Sequence, residues 1–179
     1  MTRLARLVGM MAALLLTPLS GIQAKTYSPD SVRAAMRPLS LESEASFPQP
    51  ILDYFRYYGL DFMDVPHWFG TFPSDTFTIA AHVFRPVDRR GTLLVVHGYY
   101  DHAGIVRNII RLGLDSGYCV AAIDLPGHGL SSGPRSSIQD FSQYGRAIGD
   151  FIRLYGPTLP RPLILIGHST GCAAISRTT

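Results

Sequence analysis

Cysteine is almost missing from this chain, with two thiols, Cys119 and Cys172, among 179 residues. Cys119 opens one predicted strand, whereas Cys172 lies just past the far end of another. Five strand residues from Cys119 to Asp124 span about 16 Å, beyond the roughly 7 Å Cα separation that a disulfide bridges. Two buried thiols are therefore expected, not a cross-link. Neither H-x-x-x-H nor C-x-x-C spacing occurs, so no metal site is expected. A basic run is missing too: the formal charge is +3, Arg3 and Arg6 account for much of it, and the other charges alternate in sign. That pattern offers nothing to nucleic acid. The apolar stretch Leu7 to Leu16 falls short of the roughly 20 residues that span a bilayer.

What the amino terminus does carry is a leader pattern. Arg3 and Arg6 precede Leu7 to Leu16, Thr17-Pro18 breaks the run, and Ile22-Gln23-Ala24 offers a cleavage site before Lys25. Residues 1–24 are read as a signal peptide and the mature chain as exported, periplasmic or secreted. The alternative is a membrane anchor formed by an uncleaved leader. Cleavage would leave 155 of the 179 residues, enough for one domain. Residues 25–65 form an N-terminal helical segment, and residues 66–179 a partial α/β domain. Nothing in the sequence specifies an oligomeric state.

Helical apolar spacing covers Ser31 to Arg37 and Pro50 to Leu60. Trp68 to Phe72 and Thr76 to Phe84 read as two antiparallel strands joined by Pro73-Ser74-Asp75, the second alternating Phe77, Ile79, Ala81 and Val83 against Thr76, Thr78, Ala80 and His82. From Thr92 the pattern becomes strand and helix in turn: strands over Thr92 to Val96, Tyr118 to Ile123 and Leu163 to Ile166, helices over Ala103 to Leu114 and Ile138 to Tyr155. Apolar strands separated by crossover helices predict a buried parallel sheet with helices on both faces.

Each of the three parallel strands ends in a motif, at the edge where open α/β sheets build their sites. The first is His97-Gly98-Tyr99-Tyr100-Asp101-His102-Ala103-Gly104. The second is Asp124-Leu125-Pro126-Gly127-His128-Gly129-Leu130-Ser131. The third, Gly167-His168-Ser169-Thr170-Gly171, has the G-x-S-x-G form of a nucleophile elbow, in which glycines admit the close approach that throws a serine clear of its sheet.

Together these motifs resemble the monoacylglycerol lipase, lysophospholipase and serine aminopeptidase-like branch of the α/β-hydrolases, over Phe72 to about Ile175. Asp124-Leu125-Pro126-Gly127-His128-Gly129 is especially characteristic of it. The resemblance implies the amino-terminal part of an α/β-hydrolase fold, with Ser169 as nucleophile and the backbone N–H groups of Tyr99 and Thr170 as the oxyanion hole. His97, Gly98, Asp124, Gly127, His128, Gly129, Gly167 and Gly171 take structural roles. It also implies acyl transfer from a carboxylic, favoured lipid, ester, with transient membrane-surface contact and no cofactor. Tyr100, where epoxide hydrolases carry proline, and the lack of a His-Gly-Gly-Gly loop set two other branches aside.

The remaining histidines read as structural. His97 and His128 should brace their loops, His168 should project away from the serine hydroxyl, and His102 should mark a helix start or pocket rim. His67 and His82 are expected as satisfied surface or core groups. Asp124 should stabilise its own loop and not act as a triad acid. In this fold the triad acid and histidine follow the serine, and only ten residues follow Ser169 here. The alternative reading is thus a catalytically inactive, truncated fragment.

Overall fold

The computed structural model describes residues 26–42 and 46–178, and the expected leader lies outside them. Helix α1, Pro29–Ala35, begins two residues before its expected start because Ser28 Oγ accepts from Ser31 N and Pro29 pre-sets the first turn. Helix α2, Gln49–Tyr58, ends at Gly59, whose φ of 65° supplies the left-handed cap.

Strands β1, His67–Ser74, and β2, Phe77–Phe84, form an antiparallel hairpin in the register His67↔Phe84 to Ser74↔Phe77. The expected connection through Pro73 and Ser74 is therefore corrected: both belong to β1, and only Asp75 and Thr76 turn the chain. Proline is tolerated there because β1 is an edge strand, where a missing N–H leaves no ladder bond unmade. Beside β1 runs the stretch after α1, with Leu39 N donating to Thr71 O and Thr71 N to Arg37 O, so part of that edge is covered.

Strand β3 spans Thr92–Val96, helix α3 Arg107–Asp115 and strand β4 Cys119–Ile123. Helix α4, Ser142–Tyr155, runs into a 3-10 turn at Gly156–Thr158, followed by strand β5, Leu163–Gly167, and helix α5, Thr170–Ile175. The sheet order is β1-β2-β4-β3-β5. The hairpin joins β4 antiparallel, and β4, β3 and β5 are mutually parallel. Two helices start later than their apolar periodicity predicts, for local reasons. Ahead of α3, Ala103 N is taken by the Asp124 carboxylate and Gly104 N by His102 Nδ1. Ahead of α4, Gln143 Oε1 accepts from Gln139 N and Asp140 N, holding a capping turn.

From β2 to β3 both faces of the sheet are covered, and alternation along each strand sorts its residues between them, whereas β5 is only partly buried and its Ile164 is exposed. Ala80, Phe84, Val95, Val120 and Ala122 pack with α1, α2 and α3. Ile79, Ala81, Val83, Leu94, Val96, Ala121 and Ile123 pack with α4 and with Ala174 of α5. Cys119 is buried in that second layer, whereas Cys172 is exposed, and both thiols are free. The lack of a disulfide thus agrees with expectation, but burial of Cys172 does not. Gly171 and Ala174 are the buried residues of α5, which leaves Cys172 off that face.

Candidate active site

The carboxyl ends of β3, β4 and β5 bring the three motifs together. At the end of β5 the chain turns into α5 within two residues, and Ser169 occupies the cap with φ 49° and ψ −114°. Positive φ at a residue with a Cβ is uncommon and persists where the surroundings enforce it. Two glycines enforce it here. A Cβ on Gly167 would lie 2.5 Å from Cys172 N, and one on Gly171 would run into the carbonyl of Val96 and lie 2.7 Å from His97 O. The elbow is also tied to β3, since His168 N donates to Val96 O at 3.0 Å. Ser169 itself is exposed.

The loop after β3 packs directly on this elbow. A Cβ on Gly98 would sit 2.7 Å from His168 Nδ1, so the two segments touch through a position with no room for a side chain. His168 Nδ1 lies 3.5 Å from Asp101 Oδ2, and its side chain is 65% exposed. Neither the N–H of Tyr99 nor that of Thr170 donates to an acceptor among the described residues.

The other histidines lie in the sheet and in the loops that follow β3 and β4, and the buried Nε2 of His128 has no hydrogen-bond partner among the described residues. His97 is fully buried and uses both ring nitrogens: Nε2 accepts from Leu125 N at 2.9 Å, so Nδ1 carries the proton given to Gly98 O at 2.7 Å. Burial pushes its pKa below the ordinary histidine value, favouring this neutral form. His128 Nδ1 donates to Pro126 O at 2.9 Å. His102 precedes α3, accepts from Gly104 N and packs edge-on against Tyr58. His82 is buried in the sheet, 3.0 Å from His67 and 3.4 Å from the Tyr54 hydroxyl.

Asp124 is buried, and its two carboxylate oxygens accept from Ala103 N at 2.7 Å and Leu130 N at 2.8 Å. Its carbonyl accepts from Ser131 Oγ, which in turn accepts from Ala80 N. One side chain thus bonds its own loop through Leu130 N and also ties it to the loop after β3 through Ala103 N. Gly129 packs against that carboxylate closely enough that a Cβ could not be added. Among the described residues no group of three metal-ligating side chains occurs.

Two features were not read from the sequence. One is the contact of His168 with Asp101. The other is a cavity of about 350 Å³ beside the β3 and β4 loops, lined in part by Tyr27, Arg33, Tyr58, Tyr100, Asp101 and Arg135. Its walls come from segments about a hundred residues apart, and no motif links them.

A parallel sheet flanked by helices, entered through an antiparallel hairpin and carrying a serine on a strained strand-to-helix turn, is the α/β-hydrolase fold, present here in part. The family model described as serine aminopeptidase, S33, matches residues 87–179, and the chain belongs to that family. Over 90 residues it is 39% identical to a monoacylglycerol lipase of Mycolicibacterium smegmatis, covering 47% of this chain and 30% of the lipase. A phospholipase of Bacillus subtilis is 32% identical over 87 residues, covering 49% of this chain and 32% of that protein. The crystal structure of a probable hydrolytic enzyme from Pseudomonas aeruginosa superposes with a TM-score of 0.53 at 28% identity, over 63% of this chain and 36% of that one. The chain spans about a third of the length of these curated relatives.

Proposed function

We propose that this chain carries the nucleophile and oxyanion hole of a serine hydrolase acting on lipid carboxylic esters, of the monoacylglycerol lipase and lysophospholipase kind. Ser169 Oγ attacks the ester carbonyl and gives its proton to a base. The N–H groups of Tyr99 and Thr170 hold the tetrahedral oxygen, the alcohol leaves, and water releases the acid from the acyl-enzyme. The observation that carries this reading is the backbone of Ser169: a serine at φ 49°, capping a helix directly after a strand, between two glycines whose Cβ positions are filled by backbone. The unengaged N–H groups of Tyr99 and Thr170 support the oxyanion assignment. Relatives named as a monoacylglycerol lipase and a phospholipase support the substrate class.

The substrate is a small-molecule ester or lipid, met at a membrane surface, and the reaction uses no cofactor. Export after cleavage near Ala24 follows from the leader pattern and belongs to the same proposal. A second reading, a catalytically inactive polypeptide, is favoured by one observation: among the described residues no histidine hydrogen-bonds to Ser169 Oγ. Hydrolysis of p-nitrophenyl butyrate by the product of the natural gene, beside its Ser169→Ala variant, separates the two. Loss of turnover on substitution supports the nucleophile, and turnover that survives it rejects Ser169.

A further inference from the structure

The cavity beside the β3 and β4 loops has the size of a small-molecule site, at about 350 Å³. Its charges are unbalanced. Arg33 of α1 and Arg135 of the loop after β4 both line it, against the single carboxylate of Asp101. Asp101 leans towards the elbow, where His168 lies 3.5 Å away. Arg33 is fixed in place, Nη2 donating to Gly129 O at 2.7 Å and Nη1 to the exposed Asp30. Arg135 is exposed and makes no hydrogen bond or ion pair among the described residues. The phenol rings of Tyr27, Tyr58 and Tyr100 line the same wall, with the Tyr27 and Tyr58 hydroxyls bonded to each other at 3.0 Å. An anion in this space gains charge-assisted hydrogen bonds from the unpaired Arg135, beside the Arg33 guanidinium that Asp30 and Gly129 O hold in place.

The cavity is also joined to the candidate oxyanion loop. Tyr100 follows Tyr99, and the Tyr99 hydroxyl donates to the carbonyl of Ser136, the neighbour of Arg135, at 2.8 Å. A ligand held by Arg135 therefore lies beside the segment that would hold the ester oxygen. We propose that this cavity seats the phosphate-bearing head group of a lysophospholipid whose ester reacts at Ser169. This rests on the ester-hydrolase reading, and it selects an anionic glycerophosphate lipid over a neutral monoacylglycerol.

Binding of glycerol 3-phosphate at low ionic strength, followed by calorimetry, tests it without any turnover. Glycerol 3-phosphate should bind more tightly than inorganic phosphate, and glycerol should not bind. Arg135→Ala should weaken glycerol 3-phosphate roughly tenfold or more, the size of a lost charged hydrogen bond. Arg135→Lys should restore part of that loss. Because Arg135 is exposed and makes no hydrogen bond or ion pair among the described residues, the urea midpoint of Arg135→Ala should match the parent. Equal binding by the parent and Arg135→Ala overturns the proposal, and so does the absence of measurable binding. Inorganic phosphate binding as tightly as glycerol 3-phosphate makes this a free-anion site and overturns the lipid assignment. Ser169→Ala should bind glycerol 3-phosphate like the parent, so a failed nucleophile assignment and a failed head-group site give different results.

Discussion

Replacing Asp124 removes the group that ties the loops after β3 and β4 together. Its carboxylate accepts from Ala103 N and Leu130 N, and both bonds are buried. Asp124→Ala leaves two N–H donors without acceptors in a region closed to water. Each such orphan costs about 1–3 kcal/mol, and the energy recovered by no longer burying a charge offsets part of the sum. A net loss of about 3 kcal/mol is expected, a large share of the roughly 5–15 kcal/mol that holds a domain folded. Asp124→Asn keeps one acceptor but turns an amide N–H towards the other donor, so a loss of about 2 kcal/mol is expected. Urea unfolding of the natural gene product, followed by circular dichroism, reads this as a midpoint lowered by about 1–2 M for the alanine variant. An unchanged midpoint would refute the bracing role. An unchanged midpoint with turnover abolished would return Asp124 to the list of catalytic acids.

Other outcomes follow from single contacts. Gly98→Ala places a Cβ 2.7 Å from His168 Nδ1, so it should push the elbow and the β3 loop apart and lower kcat roughly tenfold or more, as misplaced oxyanion donors do. Burial holds His82 down to about 3 and His67 well below the usual value. Both are therefore neutral when folded and bind protons when unfolded as the pH drops below about 6.5, so stability should fall as pH is lowered from there, by about 1.4 kcal/mol per unit for His82 down to about pH 3, with His67 adding a loss of the same sign. His82→Gln should remove one proton from that slope in urea titrations at several pH values. The isolated polypeptide of residues 1–179 should show no Ser169-dependent release of p-nitrophenol, because among the described residues no base hydrogen-bonds to the hydroxyl; turnover above the Ser169→Ala level would contradict this. Terminal sequencing of the exported product should begin at Lys25, and an intact Met1 in a membrane fraction would mean an uncleaved anchor.

What could be read from the sequence was local. The motif that ends each parallel strand carries its own geometry, so His97, Asp124 and the Ser169 elbow lie where strand and turn patterns put them. The boundaries misread were those set by side chains. Asp124 takes the N–H of Ala103 and delays α3, Gln143 delays α4, and Ser28 advances α1. Pro73 looked like a turn because proline interrupts a ladder, yet at the sheet edge it interrupts nothing. The cavity could not be read at all. Arg33 and Arg135 line one cavity because α1 folds over the β4 loop, where Arg33 donates to Gly129 O, and no periodicity records that approach.

The proposed reaction passes through an acyl group on Ser169. The natural gene product, mixed briefly with p-nitrophenyl butyrate and quenched in acid, should carry one butyryl group. Peptide mass spectrometry should place it on Ser169, within Gly167-His168-Ser169-Thr170-Gly171. A butyryl group on another residue, or steady turnover by the Ser169→Ala variant, would contradict the account.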